Sequence, residues 1–331
     1  MTKILGNEEI ISSLEKCVAE QRFAHSYLFS GISGIGKKLI AIEFACMLNC
    51  RSYSLLDHER CGTCDRIRRG NHPDVRVEAP QKGSIRIDRV RQLQGFLKYA
   101  PMEASYRVII IDDAHLINRA AQNALLKTLE EPSGCSVLVL TTDKASSLLP
   151  TVRSRLRIVR FAPLERSIIA KEISRLKGLE HQEATCVAGL ASGSLGRALE
   201  LLTANAFKFR SPLVEFLSQG TNFGLAPLLD LSFRLSSDAQ DLVGAIEFAM
   251  TWIRDLILLK TGGAFSSIVN TDVVDILEIS AQHYSVSGLL SVYNEMAIAL
   301  GLVASDTNIN RNLLTDVMFL RIRDRLGDTA S

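Results

Sequence analysis

Gly31-Ile32-Ser33-Gly34-Ile35-Gly36-Lys37-Lys38 has the spacing of a phosphate-binding loop, G-x-x-x-x-G-K-[ST], at every position but the last. Gly31, Gly34 and Gly36 let backbone N–H groups turn inward around an anion, and Lys37 can reach the outer phosphates of ATP. Lys38 stands where a hydroxyl normally helps hold Mg²⁺ between those phosphates. The same lysine also reads as a solvent-facing residue on the first turn of a helix. The run Arg107 to Ile111 ends in Asp112-Asp113. Asp112 is placed to hold Mg²⁺ directly or through water. Asp113 is placed to polarise the attacking water, on a side chain one methylene shorter than Glu. A shift of ~1 Å in a positioned base costs on the order of a hundredfold in rate. Lys38 and Asp113 therefore both argue against efficient ATP hydrolysis.

Further polar groups gather later in the chain. Thr141-Thr142-Asp143 ends another apolar run, where polar side chains, Thr142 among them, could meet a γ-phosphate or order a water, although strand-end threonines are common. Arg153, Arg155, Arg157 and Arg160 follow Pro150, with no acidic residue between Thr151 and Phe161. They read either as a solvated basic strand edge or as the site of an arginine finger, which stabilises charge on a transferred phosphate. Ser154-Arg155 is the pair that carries the second reading. Cys50, Cys61 and Cys64 form C-x(10)-C-x(2)-C, three thiols that could ligate a metal. Structural zinc takes four ligands, so a fourth must come from elsewhere or the site is lost. His58 and His72 are the nearest candidates for the fourth. Cys46, one turn before Cys50 on an apolar helix face, reads more readily as core.

These groups need elements to position them. Ser26 to Ser30 is a short apolar run entering the glycine loop, and Lys37 to Cys50 follows with helical spacing. Arg107 to Ile111 is β-branched, as in a strand of a parallel sheet buried on both faces. Asn118 caps a helix that stops before Pro132, and Ser136 to Leu140 and Arg157 to Phe161 are two more strands. The expected fold is α/β, an open parallel sheet with helices on both faces. After Ala162-Pro163 no strand is convincing, and Leu164 to about Leu202 and Ser211 to Arg325 read as helical.

The 331 residues allow two or three domains. A composition 47% hydrophobic and 22% charged is that of a globular protein. No uninterrupted apolar run reaches membrane-spanning length, and the first ten residues lack a secretory signal pattern. Seven cysteines, an odd number, point to reduced cytoplasmic thiols rather than a disulfide framework. Arg60 to Arg91 holds nine basic residues against four acidic. With a net charge of only +2 and no aromatic platform, the stretch reads as solvated surface rather than a grip on nucleic acid.

These pieces, in this order, resemble the clamp-loader branch of the AAA+ ATPases. The resemblance rests on His25-Ser26-Tyr27-Leu28-Phe29, IIIDDAH from Ile109 to His115, AQNALLKTLEEP from Ala121 to Pro132, Arg153-Ser154-Arg155 and GSLGRAL from Gly193 to Leu199. Its motifs span Gly6 to Leu199, with Trp252-Ile253-Arg254-Asp255 the most familiar phrase beyond. It implies an AAA+ nucleotide-binding domain over 1–163, an all-α lid over 164–207 and an all-α collar over 208–331 that joins subunits into a ring. It implies partners of the delta and gamma or tau types, a sliding clamp, primed DNA through the assembled ring, and no membrane. Arg155 takes the finger position of a Ser-Arg-Cys motif, reaching a neighbouring gamma or tau ATP site. Arg197 falls where the lid supplies a second phosphate sensor, or is a helix-surface charge.

The chain departs from the pattern twice: Leu156 replaces the motif cysteine, and Ile67 replaces the fourth zinc cysteine. A non-hydrolysing subunit that completes a neighbour's site fits best. An active gamma/tau-type ATPase is the alternative, disfavoured by Lys38 and by a chain that stops soon after the collar. An unrelated P-loop switch fits the AQNALLKTLEEP helix poorly.

Overall fold

The computed structural model describes residues 5–50, 61–80, 83–203, 209–304 and 309–326, which form two compact units, Met1–Leu164 and Glu165–Ser331. The first unit is built on five parallel strands: β1 (Ser26–Ser30), β2 (Val75–Glu78), β3 (Arg107–Ile111), β4 (Ser136–Thr142) and β5 (Arg157–Arg160). Their order is β2-β3-β4-β1-β5. The connecting helices are α1 (Glu8–Ala19), α2 (Lys37–Asn49), α3 (Gly62–Arg68), α4 (Ile87–Leu97), α5 (Arg119–Glu130) and α6 (Pro150–Arg153).

Alternation along the strands sorts the core onto two faces. Leu28, Ile109, Ile111, Leu138 and Leu140 share one cluster with Val90 and Leu93 of α4 and Leu125 of α5. On the other face Tyr27 and Phe29 of β1 meet Phe44 of α2, the Tyr27 and Phe44 rings standing edge to face at 5.1 Å. The parallel α/β sheet with helices on both faces is therefore as the sequence implies. Asn118 caps α5 as expected, its Oδ1 accepting from the Ala121 N–H at 2.8 Å.

One strand escapes the sequence reading. Val75-Arg76-Val77-Glu78 lies in the basic stretch and looks like surface, yet β2 pairs with β3 at one edge of the sheet. An edge strand tolerates an exposed arginine on one side of its pleat, which hides its apolar alternation. Just before it, the buried Asp74 accepts N–H bonds from Met102, Glu103 and Ala104 at 2.8–3.0 Å and faces Arg107 Nε at 3.5 Å. That ion pair fixes the loop entering β3.

The second unit is helical throughout its described residues: α7 (Arg166–Lys177), α8 (His181–Leu190), α9 (Leu195–Thr203), α10 (Arg210–Gln219), α11 (Leu225–Ser236), α12 (Ala239–Lys260), α13 (Val274–His283), α14 (Val286–Ala304) and α15 (Arg311–Leu326). Trp252, fully buried, lies at the core of the last six. Asp255, three residues on, accepts from the N–H groups of Val269 and Asn270 at 3.0 and 2.9 Å, while Arg254 donates to Ser267 O at 2.7 Å. The Trp-Ile-Arg-Asp phrase thus pins the 267–270 segment to α12. Among the described residues one helix approaches membrane-spanning length in apolar composition without an uninterrupted apolar run. The Val286–Val303 window of α14 is long and apolar enough by length and composition, with a hydropathy of 1.5. Asn294 and Glu295 interrupt the run in sequence, and the helix packs against α12 and α15.

Candidate functional site

β1, β4 and β3 are neighbours in the sheet, so the segments leaving their carboxyl ends lie side by side. The glycine loop leaves β1 and delivers the chain to the N-terminus of α2. Gly31 packs so closely on β5 that a Cβ there would lie 2.7 Å from Phe161 Cβ. Gly34 and Gly36 have φ of 71° and 98°, a left-handed backbone that side chains strain. The space a Cβ would take at Gly36 is open. This is a cradle of the kind that suits a phosphate. Lys37, only 7% exposed, donates from Nζ to Gly31 O at 2.7 Å and Ile32 O at 2.8 Å. Burial pushes its pKa down, while Asp143, Asp113 and Asp112 act in the opposite direction.

Lys38 does not point idly into solvent. Its Nζ lies 3.2 Å from Asp112 Oδ2, with 44% of the lysine side chain and 20% of the aspartate exposed. The other oxygen, Asp112 Oδ1, accepts the Thr141 hydroxyl at 2.5 Å. Both oxygens of the carboxylate expected to serve Mg²⁺ are therefore engaged. The donor set does not fit the magnesium arrangement of a P-loop: the hydroxyl is gone and an ammonium stands on the remaining ligand. Asp113 adopts φ 49°, ψ 49°, a left-handed conformation uncommon for a residue with a side chain.

Thr142 is also committed. Its Oγ1 accepts the Lys144 N–H at 3.0 Å and sits 3.5 Å from His115 Nδ1. His115 Nδ1 lies 3.1 Å from Asp143 Oδ1. The sequence reading offered Thr141 only as one of three polar strand-end residues and gave no role to His115. His115 could have been noticed, because it ends the IIIDDAH phrase. Nothing in the sequence links Thr141 to Asp112, 29 residues earlier.

Arg155 lies in the turn between α6 and β5. Its Nη2 pairs with Glu130 Oε1 at 2.7 Å and its Nη1 donates to Thr151 O at 2.9 Å, with 37% of the side chain exposed. Glu130, the last residue of α5, is a further residue that sequence reasoning left unassigned. Arg197, on the first turn of α9, belongs to the second unit; it pairs with Glu247 of α12 and lies 3.4 Å from Glu200.

The three cysteine sulfurs of Cys50, Cys61 and Cys64 all lie within 4.8 Å of one another. Zn–S bonds of ~2.3 Å in a tetrahedron fit that clustering. His72 is not in the cluster: its Nδ1 accepts the Asp74 N–H at 3.1 Å. His58 lies outside the described residues. Ile67, where the resemblance implies a fourth cysteine, is buried. Cys46, buried on α2, contacts Cys64, its thiol 3.9 Å from the Cys64 carbonyl oxygen. Three soft donors fit zinc, and Cys46, beside Cys64 but outside the three-sulfur cluster, is a candidate fourth.

Four arginines of the basic stretch are paired with carboxylates. Arg68 pairs with Glu43 at 2.6 Å, Arg66 with Glu103 at 2.5 Å, Arg69 with Asp65 at 3.1 Å and Arg89 with Glu78 at 2.7 Å. Arg76 lies over the Phe96 ring. Arg60 and Lys82 lie outside the described residues.

Sheet order, glycine cradle and strand-end acids define an α/β P-loop protein whose metal position is altered. Comparison with known families agrees and narrows the class. The model described as DNA polymerase III, delta subunit, matches residues 6–165, and that described as DNA polymerase III, delta subunit, C terminal, matches residues 210–324. The two models together match most of the chain, which belongs to the DNA polymerase III delta-subunit family.

Three curated relatives bear the same stamp. Escherichia coli DNA polymerase III subunit delta' is 28% identical over 327 residues, covering 94% of this chain and 93% of that one. The Pseudomonas aeruginosa subunit delta' is 40% identical over 135 residues, covering 40% and 41%. Bacillus subtilis DNA polymerase III subunit tau is 27% identical over 297 residues, covering 82% of this chain and 52% of the relative. The chain thus spans about half the length of that tau relative.

Proposed function

We propose that this chain works as the delta-prime subunit of a clamp-loader complex, helping to load a sliding clamp onto primed DNA. In this reading it turns over little ATP itself and lends Arg155 to the ATP site of a neighbouring gamma or tau subunit. Its partners are subunits of the delta and gamma or tau types. The clamp and the primer-template are met through the assembled ring, in the cytoplasm. Residues 164–207 act as the lid and 208–331 as the collar.

The observation that carries this reading is the contrast between two cations of one domain. Lys38 is committed to Asp112 inside the pocket, whereas Arg155 stays exposed, aimed by Glu130 and the Thr151 carbonyl. A guanidinium presented this way can meet a triphosphate on another protomer. Asp112 and Asp113 keep the strand-end position of catalytic acids but lack the partners that hydrolysis needs. The cradle of Gly31, Gly34, Gly36 and Lys37 keeps the shape of an ATP site. Arg197, paired with Glu247, is a structural cation of the second unit rather than a sensor.

Zinc held by Cys50, Cys61 and Cys64, with Cys46 the candidate fourth ligand, would tie the end of α2 to the start of α3. An active gamma/tau-type ATPase remains the second reading, favoured by the intact glycine geometry and opposed by Lys38. The deciding experiment is reconstitution with gamma or tau and delta subunits, followed by ATPase assay with and without primed DNA. Assembly, together with stimulated turnover that depends on Arg155, supports the proposal. Failure to assemble, or full turnover by this chain alone, removes it.

A further inference from the structure

Two lysines in succession leave the glycine loop, and they do different things. Lys37 lies across the loop carbonyls, as the loop's own cation. Lys38 reaches the end of β3 and places its ammonium 3.2 Å from Asp112 Oδ2, while Thr141 occupies Oδ1 at 2.5 Å. Asp112 is thereby neutralised and hydrogen-bonded with no ion involved. A divalent cation seated between this carboxylate and a phosphate would have to displace the ammonium. It would also find no hydroxyl at position 38 to replace the interaction.

We propose that the Lys38 ammonium is a built-in replacement for the divalent cation, standing on Asp112 in its place and uncoupling this pocket from Mg²⁺. This rests on the reading of the loop as a nucleotide site and goes beyond weak hydrolysis. A missing hydroxyl alone would leave Asp112 free to bind the ion through water. An ammonium on the carboxylate removes the ion's charge complement as well. A single positive charge held on Asp112 carries half the charge of Mg²⁺ and offers N–H donors in place of its octahedral coordination of phosphate oxygens. ATP entering the cradle therefore meets Lys37 together with the carboxylates of Asp113 and Asp143, and gains nothing from magnesium.

The test is ATP binding to the full-length protein by calorimetry, in Mg²⁺ and in EDTA, for wild type, Lys38→Thr and Lys38→Ser. Position 38 is a half-exposed first-turn site, and circular dichroism confirms that each variant is folded. Wild type should show no tightening by Mg²⁺, whether binding is weak or undetectable. Both hydroxyl variants should bind at least about tenfold more tightly with Mg²⁺ than with EDTA, as a restored metal ligand demands. Tenfold or greater tightening of wild type by Mg²⁺ would overturn the inference while leaving the nucleotide reading of the loop intact. Absence of ATP binding in the folded hydroxyl variants under both conditions would overturn both.

Discussion

Glu130 Oε1 holds Arg155 Nη2 at 2.7 Å, tying the last residue of α5 to the turn that presents the arginine. The pair is exposed on both sides, so it adds at most about 1 kcal/mol to stability. Its value lies in direction, because with Thr151 O it fixes two edges of the guanidinium. The relationship joins two phrases that the sequence presents separately, the AQNALLKTLEEP helix and the Ser154-Arg155 pair.

Arg155→Ala should leave the fold untouched and slow ATP hydrolysis at the site it completes by about a hundredfold or more, the scale of a lost arginine finger. Glu130→Gln should slow it far less, since the arginine remains and only its aim is loosened. Single-turnover hydrolysis in the reconstituted complex separates the two. Normal turnover with Arg155→Ala would remove the finger assignment.

The isolated chain should hydrolyse ATP well below about 1 s⁻¹, the lower end of ordinary enzymes. The motive is the loss of the metal-binding hydroxyl and the short Asp113. A phosphate-release assay on protein freed of other ATPases checks it, and a rate at or above that value speaks for the active-ATPase reading.

Purified protein should carry about one equivalent of zinc, held by thiolates. Cys64→Ser should bring the content below about a tenth, and Cys46→Ser should lower it as well if that thiol is the fourth ligand. Elemental analysis and chelator release report directly. A metal-free wild type would mean that loss of the cysteine at Ile67 has abolished the site.

Asp74 gives a pH dependence. Burial alone would raise its pKa, but the N–H groups of Glu103, Met102 and Ala104, with Arg107, hold it below the usual carboxylate range. A lowered folded pKa means stability that is complete above the unfolded value of about 3.9 and is lost as pH falls through the folded one. Asp74→Asn should cost about 3 kcal/mol at neutral pH, leaving Arg107 buried without its anion. Below the unfolded value of about 3.9 the gap between variant and wild type should narrow progressively as pH falls. Urea melts at pH 7 and pH 3 measure this, and an unchanged gap would contradict it.

The loop, the strand ends and the α5 cap were legible because each is a local matter of residue type and spacing. Arg107–Ile111 emerged as a strand to the residue, since five consecutive positions buried on both faces leave no alternation to misread. β2 was lost because its pleat exposes Arg76 at a sheet edge. The ion pairing of the basic stretch was hidden for a related reason. Charge counting along the chain cannot see that Arg68 meets Glu43 across 25 residues and Arg66 meets Glu103 across 37.

Sequence alone determined that this protein has a phosphate cradle, a pair of strand-end acids and an arginine set apart from them, because backbone freedom and periodicity are written residue by residue. The tertiary structure alone decided which charge answers which. Lys38 became the partner of Asp112, and Arg155 became a ligand of Glu130, because the sheet brings together strand ends that lie far apart in sequence. Electrostatic partnership falls off with distance through space, and only the folded chain sets that distance.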